Sequence, residues 1–137
     1  MKKLLFTAML ILIGATANAT NKRFELICDE DKWFSKEQYI IDNDGAYAYD
    51  IYITEVSTKE TWEFRRDREH ITLSSTGYSG SRLYDVDVTT GIYYIIEFTL
   101  DRLTNSYEIT WYTEHDEGKW IEERSSSGTC SVLKTDF

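Results

Sequence analysis

Apolar residues recur at every second position over much of this chain, and this spacing limits its possible folds more than any other feature. Alternation between polar turn clusters is typical of β-strands, whereas amphipathic helices place apolar residues three or four positions apart. The clearest run is Ile92, Tyr94, Ile96, Phe98 and Leu100. Because no comparable helical spacing occurs, the pattern predicts an all-β chain.

Eight or nine short segments carry this pattern, and turn-forming residues separate them. Strands are predicted at 24–28, 47–53, 61–64, 71–73, 83–88, 92–100, 107–111, 120–122 and 130–133. Turns are predicted at 42–45, 77–81, 89–91, 103–106 and 116–118, with one helical turn within 31–38. We therefore expect an antiparallel barrel or sandwich of about eight strands. The chain has no proline to guard an exposed edge strand, which favours a closed barrel.

The first 19 residues resemble a secretory signal peptide. Lys2 and Lys3 precede a short apolar run, and Ala17-Asn18-Ala19 has the small-x-small pattern of a cleavage site. The run is shorter than the roughly 20 residues that span a bilayer as a helix. We expect cleavage before Thr20, a single all-β domain at 20–137, and a periplasmic or secreted location.

The charge of the chain is strongly acidic. Its formal net charge is −9, and removal of the leader would take two lysines and no acidic residue, leaving −11. This balance excludes a nucleic-acid binder that works through a general basic surface. A basic protein is the expected partner, although acidity also favours solubility alone.

Cys28 and Cys130 are the only cysteines. In an oxidising compartment they most simply form one disulfide that joins the terminal segments. Two cysteines without a further ligand nearby cannot complete a tetrahedral zinc site, and no Cys-x-x-Cys redox pair is present. We expect neither a metal nor a cofactor.

The sequence contains no local arrangement typical of an active site. His70 and His115 have no catalytic neighbours in sequence and are expected at the surface. Ser79 lies one glycine short of the Gly-x-Ser-x-Gly nucleophile elbow, and it lacks the strand-to-helix context of that motif. Asp42-Asn43-Asp44-Gly45 would place isoleucine at both end positions of an EF-hand loop, so a hairpin turn is preferred. These observations favour a protein that is not an enzyme.

One core face cannot hold all the tyrosines of the predicted strands, which include Tyr47, Tyr49, Tyr52, Tyr93, Tyr94, Tyr107 and Tyr112. Some must lie outside or line a cavity, either as a ligand or partner surface or as aromatic pairs on an exposed sheet. An exported chain of alternating strands that ends in Phe137 also resembles outer-membrane barrels, but several strands are short and interrupted by acidic residues. We therefore expect no stable membrane insertion.

The segment Ser79-Gly80-Ser81-Arg82-Leu83-Tyr84 resembles the Ser-Gly-x-x-Tyr loop of periplasmic C-type lysozyme inhibitors. That family consists of small exported β-barrels with a terminal disulfide, whose loop enters the lysozyme cleft. The resemblance implies a binding site at Ser79, Gly80, Arg82 and Tyr84, with Ser79 and Arg82 entering the cleft. An acidic surface would suit a basic lysozyme.

Two classes of function therefore remain open. The first is a non-enzymatic exported protein that inhibits or neutralises another protein, as a lysozyme-type inhibitor, a toxin immunity protein or an exclusion factor. The second is a lipocalin-like carrier whose barrel holds a small apolar or sugar ligand among tyrosine and tryptophan side chains. A cavity lined by these aromatic residues would favour the carrier, and a filled core with a protruding loop at 77–84 would favour the inhibitor.

Overall fold

β-Strands dominate the computed structural model, which describes residues 24–32, 37–43, 50–116 and 118–135. The predicted leader at 1–19, Thr20, Tyr47, Tyr49 and Phe137 lie outside these residues, as do 33–36 of the predicted helical turn and 44–45 of the predicted turn at 42–45. The described strands are β1 (Phe24–Glu30), β2 (Gln38–Asn43), β3 (Ile51–Glu55), β4 (Thr61–Phe64), β5 (Ile71–Leu73), β6 (Gly77–Asp87), β7 (Ile92–Asp101), β8 (Ser106–Asp116) and β9 (Lys119–Thr135). A short 3-10 helix at Arg66–Arg68 joins β4 to β5, and no α-helix occurs in the described ranges.

The strands form one antiparallel sheet in the order β4-β3-β2-β1-β9-β8-β7-β6-β5. All neighbours along the chain pair with each other except β4 and β5, and the first and last strands pair in the middle of the sheet. The sheet curls until β4 approaches β6, which nearly closes a barrel. The predicted all-β antiparallel class is confirmed.

A disulfide joins Cys28 on β1 to Cys130 on β9, as predicted. The two cysteines are direct partners in the strand register, and both are buried. β1 ends one four-stranded meander and β9 ends the other meander, so the bond links the two halves of the sheet. It therefore lies where separation of the terminal strands would open the barrel.

The core consists of the inward-facing residues of alternating strands. Leu26, Ile41, Ile53, Ile96 and Ile109 are fully buried, and their immediate neighbours in sequence are generally more exposed. Aromatic rings fill much of the space between them; the ring centroids of Phe64 and Phe98, for example, lie 4.5 Å apart. The alternation that predicted strands thus also determines which residues are buried.

Three strands differ from the prediction. β2 was not expected, because Tyr39-Ile40-Ile41 shows no alternation and Asp42-Asn43 suggests a turn. The predicted turn at 77–81 is instead the first half of β6, and the two strands predicted at 120–122 and 130–133 belong to one strand, β9. In the first half of β6, Gly80 pairs with Ile71 of β5 and with Phe98 of β7.

Candidate functional site

Aromatic side chains line a cavity of about 470 Å³ where β4, β6, β7, β8 and β9 meet. We call it the aromatic mouth and define it by Glu60, Trp62, Tyr84, Tyr94, Glu123 and Arg124. Trp62 is buried, and Tyr84 and Tyr94 are half-buried and form its walls. The centroids of Tyr84 and Tyr94 are 6.1 Å apart, and those of Trp62 and Tyr84 are 6.3 Å apart in an edge-to-face arrangement. The mouth thus combines ring faces with charged groups.

Arg124 already occupies one part of this mouth. Its guanidinium carbon lies 3.7 Å from the ring centroid of Trp111, and its Nη2 lies 3.2 Å from Oε2 of Glu55. The Glu55 side chain is almost fully buried, whereas that of Arg124 is about half exposed, at 46%. A buried carboxylate needs such a partner, because its desolvation would otherwise be costly. Arg124 is therefore held by an ion pair and by a cation–π contact together.

A chain of polar groups runs along another side of the mouth. The Thr113 hydroxyl donates to Oε1 of Glu123 at 2.7 Å, and His115 Nε2 lies 3.1 Å from the same hydroxyl oxygen. Because a hydroxyl has one proton to donate, His115 must donate from Nε2 to Thr113. A catalytic histidine would instead accept the hydroxyl proton, so this arrangement does not activate Thr113 as a nucleophile.

Acidic groups outnumber the arginine around the mouth. Glu60 and Glu123 are exposed at its rim, and Glu55 lies beneath Arg124. Burial raises the pKa of Tyr84, and the negative charge of Glu60 raises it further. Burial raises the pKa of Tyr39, which lies deeper in the barrel, to about 12. Both tyrosines therefore stay neutral at physiological pH.

A second concave surface lies on the outer wall of the barrel. We call it the wall groove; it has a volume of about 520 Å³ and includes Arg82, Leu83, Tyr93, Ile95 and Trp120. Leu83, Tyr93 and Trp120 are 46%, 44% and 45% exposed, whereas Ile95 between them is buried. The strand register explains this grouping. Leu83 is directly opposite Ile95, and Tyr93 is two residues before Ile95, on the same face of β7.

The four residues that the resemblance selected are all on β6, but they do not form one protruding loop. Tyr84 lines the aromatic mouth, and Arg82 lines the wall groove while its Nη1 donates to the carbonyl oxygen of Glu63 on β4. Ser79 is half-buried between β5 and β7. A Cβ on Gly80 would lie 2.3 Å from the carbonyl oxygen of His70, so a structural requirement accounts for this glycine.

His70 is half-buried beside the 3-10 helix, although a surface position was expected for it. Its Nδ1 accepts a hydrogen bond from the Arg65 backbone at 3.3 Å. Burial lowers the pKa of His70, and the nearby guanidinium groups of Arg82 and Arg68 lower it further. Sequence reasoning missed this role because the contact depends on how β4 and β5 are joined.

The mouth itself could have been predicted only in part. The surplus of tyrosines indicated that some would line a cavity or lie outside, and Tyr94 and Tyr93 do so, whereas Tyr84 was selected by the resemblance alone. Nothing in the sequence indicated Arg124 or Glu123, because their neighbours in the mouth come from distant strands. A β-bulge in β9, where the register shifts opposite Trp111 and Tyr112, places both residues there.

Among the residues that the structure describes, no group of three or more His, Cys, Asp or Glu side chains is arranged to hold a metal ion. The described part of the chain also contains no helix long and apolar enough to cross a membrane. Comparison of the chain with family models, with curated proteins and with solved structures gives no match.

Proposed function

We propose that the protein is a non-enzymatic binding protein that acts on a basic protein partner in an oxidising, exported compartment. The wall groove is the observation that carries this proposal. It presents one leucine and two aromatic side chains, each nearly half exposed, around a buried isoleucine. Grouped exposed apolar residues of this kind are typical of protein-binding surfaces.

The composition of the groove fits such a partner. Tyrosine, tryptophan and arginine are the residues most enriched among those that dominate binding energy. Tyr93, Trp120 and Arg82 are therefore the residues that we expect to contribute most. Tyr112 supports Trp120 from the side, with ring centroids 5.3 Å apart, so the indole is held in place before a partner binds.

Charge favours a basic partner. Glu114 lies in the groove, and Glu97 and Glu122 are exposed nearby, where their charges raise the pKa of Tyr112, although burial is the larger cause. The whole chain is acidic as well. Such a surface would accelerate association with a positively charged protein at low salt.

Lysozyme-type inhibition is the most concrete form of this proposal. The resemblance around Ser79, Gly80, Arg82 and Tyr84, the disulfide and the acidic charge all support it. Because these residues belong to a strand and not to the protruding loop expected of an inhibitor, this form requires a different contact from that of the family. We propose that a lysozyme would contact the wall of the barrel at Arg82 and Leu83. Toxin immunity and exclusion are other forms of the same proposal.

Inhibition of a C-type lysozyme tests this form directly. Added protein should slow cell-wall hydrolysis and bind the enzyme in a salt-sensitive complex. Trp120→Ala should weaken that complex about 30-fold, the loss expected for a central aromatic contact. Leu103→Ala is the matched control, since Leu103 is 77% exposed and lies in the β7–β8 turn, outside the groove.

Two outcomes would reject this form. One is the absence of both inhibition and binding, and the other is equal weakening by both substitutions. A basic protein of similar charge, such as cytochrome c, controls for attraction by charge alone. If it binds as tightly as the lysozyme, the groove does not provide specificity.

A carrier of a small ligand is the second candidate, and the aromatic mouth is the observation that favours it. Its volume of about 470 Å³ falls within the range of small-molecule sites. Denaturation of freshly purified protein followed by mass spectrometry of the extract tests this candidate. A stoichiometric small molecule would support it, and an empty extract together with lysozyme binding would favour the first candidate.

A further inference from the structure

Several hydrogen-bond donors of the aromatic mouth are already engaged within the protein. Arg124 donates to Glu55, the Thr113 hydroxyl donates to Glu123, and His115 donates to Thr113. The indole Nε1 atoms of Trp62 and Trp111 have no acceptor among the described residues, but both atoms are covered. The carboxylates of Glu60 and Glu123 are exposed at the rim, and an ionised carboxylate only accepts hydrogen bonds.

The ring faces of the mouth also suit a positive charge. Aromatic faces carry partial negative charge and attract cations that lie within about 6 Å of the ring centroid. Arg124 already makes such a contact, because its guanidinium stacks on the Trp111 ring. Tyr84 and Tyr94 present two further rings next to that pair, and both remain partly exposed.

The charge balance points the same way. Glu60 and Glu123 line the mouth, Glu55 pairs with Arg124 next to it, and among the described residues Arg124 is the one arginine in the lining. An added cation would therefore meet a net negative charge, even though Arg124 repels it. The half-enclosed position strengthens this attraction, because water screens such charges less than charges on an open surface.

We propose that the aromatic mouth binds a single guanidinium or ammonium group, which a lysine or arginine side chain of the basic partner supplies. The group lies against the exposed sides of the Tyr84 and Tyr94 rings and donates to Glu60 and to the outer oxygen of Glu123. The identity of the donor rests on the proposed function, but the site can be tested without any partner.

A sugar fits these groups less well. Its CH faces would stack on the rings, but a neutral sugar gains nothing from the net negative charge of the mouth. A cation needs only acceptors and ring faces. The contrast between a charged probe and a neutral one therefore separates the two ligands.

The test uses Nα-acetyl-arginine amide as the probe and its neutral isostere, Nα-acetyl-citrulline amide, as the control. Binding is followed by NMR through the indole N–H signals, with those of Trp62 and Trp111 assigned from Trp→Phe variants. The arginine probe should shift these two signals saturably, with a dissociation constant of about 1 mM. The shifts should weaken as salt is raised, and the citrulline probe should bind much less.

Two variants localise the site. Glu60→Gln keeps the shape of the side chain and removes its charge, and we expect roughly 3-fold weaker binding of the arginine probe. Tyr84→Ala should weaken it about 5-fold through the loss of one ring. Glu69→Gln is the matched control, because Glu69 is also exposed but lies at the end of the 3-10 helix, outside the lining of the mouth, and it should change nothing. Thermal unfolding of each variant checks that it folds.

The possible results separate this inference from the proposed function. Equal binding of both probes, stronger binding of a neutral sugar such as N-acetylglucosamine, or no shift at all would each overturn the inference. If the arginine probe does not bind while Trp120→Ala still disrupts the lysozyme complex, the wall groove is supported as the partner site and the cation site in the aromatic mouth is rejected. If the arginine probe binds but no lysozyme complex forms, the cation site is supported and lysozyme is rejected as the partner.

Discussion

The barrel is joined at two places, and they are built in different ways. At the β1–β9 junction, a continuous backbone ladder and a disulfide hold the strands together. At the β4–β6 junction, the contacts come largely from side chains: Arg82 donates to the Glu63 carbonyl oxygen, and Trp62 packs against Tyr84. The first junction resists opening, whereas the second depends on a few groups that can be removed one at a time.

This difference bears on function because both candidate sites adjoin the weaker junction. Trp62 and Tyr84 line the aromatic mouth, and Arg82 lines the wall groove. A covalent link at the β1–β9 junction allows the β4–β6 junction to be formed by side chains that also line the two candidate sites. The following experiments compare the two junctions, beginning with the largest expected effect.

Replacement of both Cys28 and Cys130 by serine should have the largest effect. The disulfide closes a loop of 102 residues, and the chain-entropy model assigns about 4.7 kcal/mol to a loop of that size. Thermal unfolding should show a midpoint about 15 °C lower than that of the oxidised protein. Reduced wild-type protein is the control and should resemble the variant. A midpoint within a few degrees of the wild-type value would contradict the importance of this junction.

Gly80→Ala should give the next largest loss, on β6 where it packs against β5 and β7, two residues before Arg82 of the β4–β6 junction. The new Cβ would lie 2.3 Å from the His70 carbonyl oxygen and 2.8 Å from the Phe98 ring, so β5 or β7 would have to move. We expect a loss of about 3 kcal/mol in the free energy of unfolding, measured with urea. Ser79→Ala, next to it on the same strand, should change stability by less than about 0.5 kcal/mol. Equal losses in the two variants would rule out the close approach as the cause.

Arg82→Met should lower the free energy of unfolding by less, because it removes one charged donor and retains an apolar chain in place of the arginine stem. The Glu63 carbonyl oxygen would lose its donor, and we expect a loss of about 2 kcal/mol in urea unfolding. Arg82→Lys retains the charge and should recover part of the loss. If the methionine variant is as stable as the wild type, Arg82 does not hold this junction, and its role is confined to the groove.

The smallest effect should be a pH dependence that originates at His70. Its pKa is lowered in the folded protein from 6.5, so the folded state binds fewer protons than the unfolded state. Neutral His70 therefore makes its full contribution to the free energy of unfolding above pH 6.5, and this contribution is lost as the pH falls below that value. Protonation would also remove the acceptor for the Arg65 backbone N–H. The negative charges of Asp67 and Glu63 act in the opposite direction and raise the pKa of His70.

Thermal unfolding between pH 7.5 and pH 5.5 measures this effect, and His70→Asn is the variant to compare. The wild type should lose more stability than the variant over this interval. Parallel curves for the two proteins would place the pH dependence elsewhere.

Local sequence patterns predicted much of the fold. The alternation of residues 92–100 predicted β7 and its buried face, and polar residues predicted the turns that follow β6 and β7. Asp87 accepts hydrogen bonds from Thr89 and Thr90, and Asp101 accepts them from Leu103 and Thr104. These bonds join near neighbours, so the residues themselves carry enough information.

Contacts between distant segments explain what the patterns missed. β2 looked like a turn at Asn43, but the Asn43 side chain is buried and accepts a hydrogen bond from the Phe24 backbone on β1. The glycine and serine residues at 77–81 also suggested a turn. They lie in a strand because the absence of a Cβ at Gly80 lets the His70 carbonyl, next to β5, and the Phe98 ring of β7 approach β6 closely.

The sequence by itself determined the strand class and the charge, and the two cysteines determined the terminal disulfide, because each depends on short-range periodicity or on a unique pair of residues. Only the tertiary structure decided the closure at β4 and β6, the division of Arg82 and Tyr84 between two surfaces, and the position of Arg124 over Trp111. The reason is physical: strand register and β-bulges set which distant side chains meet, and no local pattern records that choice.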